Sequence, residues 1–313
     1  MSALFNVVLP VFLVLGFGYV AVWRRLFSES SVDGVMSFAQ NFAVPVLLFQ
    51  SISQLDLQAE FNLSLLFAFY TGAFISFILG AMGARWMGRP PEDCVAIGFV
   101  CLFSNSLLLG VPITQSAYGN EALAGNWTII AVHSPVIYTF GITVMEFTRS
   151  RGQDLSVGRV ALRAMKGVIR TPLVIGILAG FIANGLMQAG LELPKGFWDA
   201  VGMMARAGLP TALFALGGVL FRYRPEGDGR AIAMCCILSL IVHPGVTFGL
   251  GSLLGLDTAS MRSAVVTGSM PPGVNAFLFA SIYSAGKRVA ASSVLVGTTL
   301  SVLTISVWLA ILP

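Results

Sequence analysis

The chain has 313 residues, of which 56% are hydrophobic and only 10% charged, and its formal net charge is +4. Ordinary soluble chains carry about 25% charged residues, so this composition excludes a soluble globular protein and points to one built into a lipid bilayer. The basic excess lies in short loops and reads as a topology signal; no nucleic acid is expected as a partner.

Ten apolar segments follow one another, at about 2–23, 31–53, 62–87, 93–118, 122–147, 168–190, 196–220, 230–254, 260–284 and 288–312. Each is long enough to cross a hydrocarbon core of about 30 Å at about 1.5 Å per residue. The first contains Pro10, and its basic residues Arg24 and Arg25 follow the apolar run, so no cleavable signal is expected. The second holds Asn41 four residues before Pro45, within Val44-Pro45-Val46-Leu47-Leu48-Phe49. The fourth is interrupted by Ser104-Asn105-Ser106-Leu107-Leu108-Leu109-Gly110-Val111-Pro112, and the fifth carries His133 close to Pro135. After a basic connector at 149–167, the sixth segment contains Pro172, and the seventh holds Arg206 four residues before Pro210. The eighth contains His243-Pro244, and the ninth is interrupted by Met270-Pro271-Pro272-Gly273-Val274-Asn275.

Placing the N-terminus outside puts nearly all of the 18 Lys and Arg residues on inward loops. Only Lys195 and Arg262 then lie outside, with Arg206 inside a segment. The positive-inside rule thus predicts that both termini are extracytoplasmic, in a multi-pass protein of the cell (inner) membrane. The P-x-x-L-F stretches at Pro45 and Pro210 are 165 residues apart. The two interruptions, and Pro10 against Pro172, lie at a similar offset. The expected fold is therefore all-α, with two inverted five-helix repeats at 1–148 and 168–313 joined by the connector.

Proline donates no backbone hydrogen bond and displaces the carbonyl four residues earlier. Pro112 should free the Leu108 carbonyl, and Pro271 and Pro272 those of Thr267 and Gly268. Bare polar backbone at membrane depth is tolerable only against protein or a wet cavity. Half-helix ends there offer N–H groups to an anion and carbonyls to a cation or donor. The candidate substrate-binding set is Asn105, Gly110, Pro112, Pro271, Pro272, Gly273 and Asn275, with Asn41 and Arg206 beside prolines in the second and seventh segments. Two readings of Asn105 and Asn275 stay open: direct contact with substrate, and bridging of unwound backbone. Arg206 is either an anchor for an anion, through its guanidinium fork, or a side chain snorkelling to the surface. Ser104, Ser106, Thr114 and Gln115 are secondary candidates.

His133 and His243 are expected as neutral core residues bonded to carbonyls that Pro135 and Pro244 release, with a proton-linked role as the second reading. Cys94, Cys101, Cys235 and Cys236 have no metal spacing and read as buried thiols. There is no HExxH motif, no GxSxG elbow and no cofactor signature, so no cofactor, metal or catalytic set is expected. Every Asp and Glu falls in a loop or at a segment end, Glu146 being nearest the interior. An acid-lined cation site is thereby disfavoured, and an anionic or neutral substrate fits better.

The Asn105…Gly110…Pro112 stretch, the run Met270-Pro271-Pro272-Gly273-Val274-Asn275-Ala276-Phe277 and the Pro45–Phe49 stretch together resemble the auxin efflux carrier family in its bacterial branch, which includes malonate-type transporters. The likeness spans essentially the whole chain. It implies a fold similar to sodium/proton antiporters and bile acid symporters, with segments 4 and 9 crossing at the substrate. Segments 1, 2, 6 and 7 would form a scaffold, and 3–5 and 8–10 a moving transport domain. The family's crossover asparagines and prolines would fall on Asn105, Pro112, Pro271 and Asn275, and the protein would be a homodimer. The expected function is secondary transport of a small organic anion by an elevator movement; the alternative is a membrane-embedded ligand sensor. The lack of acidic residues at the crossover departs from sodium-coupled proteins of similar fold.

Overall fold

In the computed structural model, residues 2–55, 62–150, 157–226 and 228–313 are described, and they are helical throughout apart from short connections. Residues 151–156 of the expected connector lie outside the described residues. In chain order the α-helices are α1 (Ser2–Trp23), α2 (Glu29–Phe38), α3 (Val44–Ser53), α4 (Leu63–Trp86), α5 (Pro91–Leu102), α6 (Val111–Tyr118), α7 (Ala124–Ser150), α8 (Val157–Ile169), α9 (Pro172–Gln188), α10 (Lys195–Arg222), α11 (Gly229–Ile237), α12 (His243–Leu253), α13 (Thr258–Gly268), α14 (Val274–Ile282) and α15 (Lys287–Ile311).

Among the described residues, six helical stretches are long and apolar enough to cross a membrane: Glu29–Ser53, Leu63–Trp86, Ala124–Ser150, Lys195–Arg222, Gly229–Leu253 and Lys287–Ile311. A seventh arises if the pair Gly158–Ile169 and Pro172–Gln188 counts as one span. That pair bends by 79°. The cause is local, because a residue before proline is pushed out of the helical region, and Thr171 adopts φ −73°, ψ 142°. Large apolar side chains such as Phe17, Phe42, Phe67, Ile182 and Leu303 stand on the outside. An apolar exterior of this extent is unfavourable in water and suits lipid.

Two of the long spans contain a π-helical turn. These turns cover Ala39–Ala43 and Leu238–Val242, and a third covers Ser106–Gly110 between α5 and α6. Each ends two residues before a proline, at Pro45, Pro244 and Pro112. The proline ring displaces the carbonyl four residues back, and the wider π turn accommodates the displacement. Pro10, Pro135 and Pro210 sit within α1, α7 and α10 without such a turn.

Helices α1 and α10 pack together, as do α3 and α9, and α3 also packs on α10. Glycine permits the closest of these contacts. A Cβ on Gly217 would overlap the Leu15 carbonyl, and one on Gly176 would overlap that of Pro45. A second cluster joins α4, α5, α7 and the C-terminal helices α11, α14 and α15 around Phe77, Phe99, Ile137 and Phe279.

Candidate functional site

The first interruption lies between α5 and α6, and the second between α13 and α14. Helix α5 stops at Leu102, because Phe103 (φ −89°, ψ 87°) and Asn105 (φ −77°, ψ 57°) leave the helical region. Helix α13 stops at Gly268, and Gly273 is extended at φ −77°, ψ 160°. The two unwound stretches meet and pair antiparallel through Ser104 and Pro272. The Asn105 N–H donates to the Pro271 carbonyl at 2.8 Å, and the Gly273 N–H to the Phe103 carbonyl at 2.9 Å. Part of the backbone freed by the interruptions therefore satisfies itself across the crossing.

The carbonyls expected to be freed by proline are in part reclaimed. That of Thr267, four before Pro271, accepts from the Met270 N–H in a long 3.4 Å turn contact. That of Leu240, four before Pro244, accepts the Trp308 indole N–H at 2.9 Å. His243, placed by the sequence on that carbonyl, instead pairs through Nε2 with the Phe69 carbonyl at 3.1 Å. A tryptophan at the far end of α15 is invisible to reasoning confined to the eighth segment.

Three cavities are stacked along the second span, in the order Gln40–Asn41, Val44–Leu48 and Gln50–Gln54. The first, of about 830 Å³, is lined by Gln40, Asn41, Ser134, Tyr138, Glu146, Arg159 and Asn275. A small one of about 70 Å³ holds the crossing itself, with Ser104, Asn105, Ser106, His133, Gly273 and Asn275 in its wall. The two share Gln40, Ser134, Leu173 and Asn275. The third, of about 720 Å³, is lined by Gln50, Gln54, Pro112, Gln115, Asn120, Trp127 and Arg206, and shares no residue with the small one.

The structure thus brings Asn105, Gly273, Asn275 and His133 together, with Asn41 in the adjoining cavity. Arg206 and Pro112 stand apart, in the third cavity. There the guanidinium of Arg206 lies over Gly202 beside the amide of Gln50. Gly110, Pro271 and Pro272 are buried in the packing of the crossing. Gly110 faces Met270 and Thr267, and the two prolines face Gly297 of α15. His243 is fully buried and lines none of the three cavities. The exposed Asn41 side chain donates to the Ser37 hydroxyl at 3.0 Å.

Sequence reasoning passed over Gln40, Ser134 and Tyr138, although Gln40 adjoins Asn41 and Ser134 adjoins His133. The Tyr138 hydroxyl donates to the Asn275 carbonyl at 3.4 Å and ties α7 to the start of α14. It also passed over Asn126, which is fully buried. Its amide donates to the hydroxyls of Thr114 at 3.1 Å and Thr267 at 2.9 Å. One side chain of α7 thereby fastens both α6 and α13, one helix from each interrupted segment. Among the described residues no cluster of His, Cys, Asp or Glu could hold a metal ion.

Long apolar helices around stacked cavities with polar side chains in their walls fit a multi-pass membrane protein. A family model described as membrane transport protein matches residues 3–309, and the chain belongs to that family, which is also the family of the auxin efflux carriers. It is 24% identical to the uncharacterized transporter YfdV of Escherichia coli (strain K12), over 96% of this chain and 95% of that one. It is 23% identical to auxin efflux carrier component 8 of Arabidopsis thaliana, over 92% and 91%. It is 24% identical to a Rhizobium meliloti (strain 1021) protein named "Putative malonate transporter", over 98% and 95%.

Proposed function

We propose that this protein is a secondary carrier of a small organic anion and that the anion binds at the crossing of the two interrupted segments. The observation that carries this reading is the small, mostly apolar cavity whose wall holds the polar side chains of Asn105 and Asn275. It is continuous in its lining with a large cavity on one side and separate from a large cavity on the other. A solute site reached from one side at a time is what alternating access requires. The two asparagine amides present donors to a carboxylate, and the scarcity of acidic groups in the cavity walls favours an anion. The names of the malonate-type and auxin-type relatives support a carboxylate.

In this reading the ten segments form two inverted repeats, 1–148 and 168–313. Helices α1, α3, α9 and α10 belong to a scaffold that also mediates a homodimer. The crossing rides in a transport domain that shifts against it as an elevator. Asn41 flanks the path on the scaffold side. Pro112, Pro271, Pro272, Gly110 and Gly273 shape the crossing, while Arg206 attracts the anion into the third cavity. Both termini lie outside the cell membrane, so the cavity containing Glu146 and Arg159 faces the cytoplasm and the one containing Arg206 faces outward. Uptake of labelled malonate and indole-3-acetate by proteoliposomes tests the proposal. Saturable flux of either supports it, and binding without flux refutes it.

A further inference from the structure

His133 projects from α7 into the wall of the small cavity, beside Asn105 and Gly273. It is 4% exposed, and neither ring nitrogen has a hydrogen-bond partner. The Ser104 backbone interacts weakly with the ring, short of a well-formed hydrogen bond. The rest of its surroundings are the rings of Phe69, Phe103 and Tyr70, with centroids at 5.7, 4.9 and 6.1 Å. Such a setting leaves the buried imidazole without a well-formed hydrogen bond. The other intramembrane histidine differs, because His243 is tied through Nε2 to the Phe69 carbonyl and lines none of the three cavities.

A buried polar group without a well-formed partner destabilises the fold and calls for an explanation. We infer that His133 is a substrate-binding residue, its ring N–H donating to a carboxylate oxygen of an anion held between Asn105 and Asn275. The inference rests on the carrier reading above. A neutral imidazole has one donor and one acceptor, so the same ring also accepts from a hydroxyl or a protonated carboxyl. The site would then take small carboxylates and reject apolar solutes of the same size.

The test is thermal unfolding of the purified full chain with and without millimolar malonate or indole-3-acetate, for the wild type, His133→Leu, His133→Ala, His133→Gln and Asn105→Ala. Ligands that bind the native state raise the Tm according to affinity. The expected result is that His133→Leu is at least as stable as the wild type without ligand, yet loses the ligand-induced shift. Its Kd should rise about tenfold or more, as for loss of one hydrogen bond to a charged group. His133→Gln, which keeps a donor, should recover part of the shift, and His133→Ala replaces the leucine variant if that one does not fold. Wild-type affinity in His133→Leu, or in His133→Gln and His133→Ala together, overturns the inference. If Asn105→Ala alone loses the shift, the carrier reading stands without His133. A wild type unmoved by both probes overturns the reading and the inference together.

Discussion

The backbone N–H of Asn105 donates to the carbonyl of Pro271 across 166 positions of sequence. With the reciprocal bond from Gly273 to Phe103, it turns two interrupted helices into one joined element. The two interrupted segments are thereby coupled through backbone at the crossing. The side chains of Asn105 and Asn275 take no part in this backbone pairing and stand among the polar groups in the wall of the small cavity.

The bond from Trp308 to the Leu240 carbonyl covers a gap that Pro244 creates in the eighth segment. Trp308→Phe keeps the ring and removes the donor, leaving a buried carbonyl unpaired at a cost of about 1–3 kcal/mol. We expect a lower Tm in detergent with transport kinetics unchanged once folded protein is normalised. An unchanged Tm would show that the carbonyl finds another partner.

Asn126 holds Thr114 and Thr267 at once, so it should act on the stability of the crossing more than on recognition. Asn126→Ala should cost about 1–3 kcal/mol in unfolding and speed proteolysis or hydrogen exchange in α6 and α13 together. Protection lost in only one of the two helices would contradict its role as a shared fastener.

Asp257 caps α13, the first half of the ninth segment. Partial burial pushes its carboxyl up, yet the bonds it accepts from the Ser260 hydroxyl and from backbone N–H groups outweigh this and hold the pKa below the usual carboxylate value. A folded-state pKa below the unfolded one contributes stability that is present above about pH 4 and is lost as pH falls through the folded value. Asp257→Ala should therefore cost about 0.5–2 kcal/mol at neutral pH, and its Tm difference from the wild type should shrink in acid. A difference that is constant from pH 7 to pH 3 would refute the cap.

Arg206 is exposed in the third cavity and is absent from the ion pairs of the described residues, Arg89–Asp228, Arg222–Glu29 and Arg222–Asp33. If it draws anions into that cavity, Arg206→Gln should raise the half-saturating concentration of an anionic substrate supplied from that side. The effect should be about fivefold, on the order of 1 kcal/mol for a solvated charge, and should fade at high salt. Equal effects from both sides of the membrane, or on an uncharged analogue, would contradict it.

The helical, membrane-embedded class was legible in the composition, and α13 stops at Gly268, just before Pro271 and Pro272, whereas α5 stops at Leu102, ten residues before Pro112, which lies inside α6. The fate of the disturbed backbone was not legible. Whether a carbonyl released by proline meets solvent, a turn or a tryptophan depends on side chains that arrive from distant segments, as Trp308 does. Nor does proline by itself announce a π turn, since Pro45 and Pro244 have one in their spans and Pro135 and Pro210 do not. Arg206 and Asn105 looked like members of one site because both are polar and mid-segment. Their separation into different cavities follows from helix facing, which period alone leaves undetermined in segments apolar on every side.

The most direct measurement is counterflow of labelled malonate and indole-3-acetate in proteoliposomes containing the wild type, Asn105→Ala or Asn275→Ala, each checked for native elution and thermal unfolding. The account predicts saturable exchange in the wild type and its loss in both variants while the fold is retained. Exchange at wild-type rates in both variants would place the solute path elsewhere and contradict a binding site at the crossing.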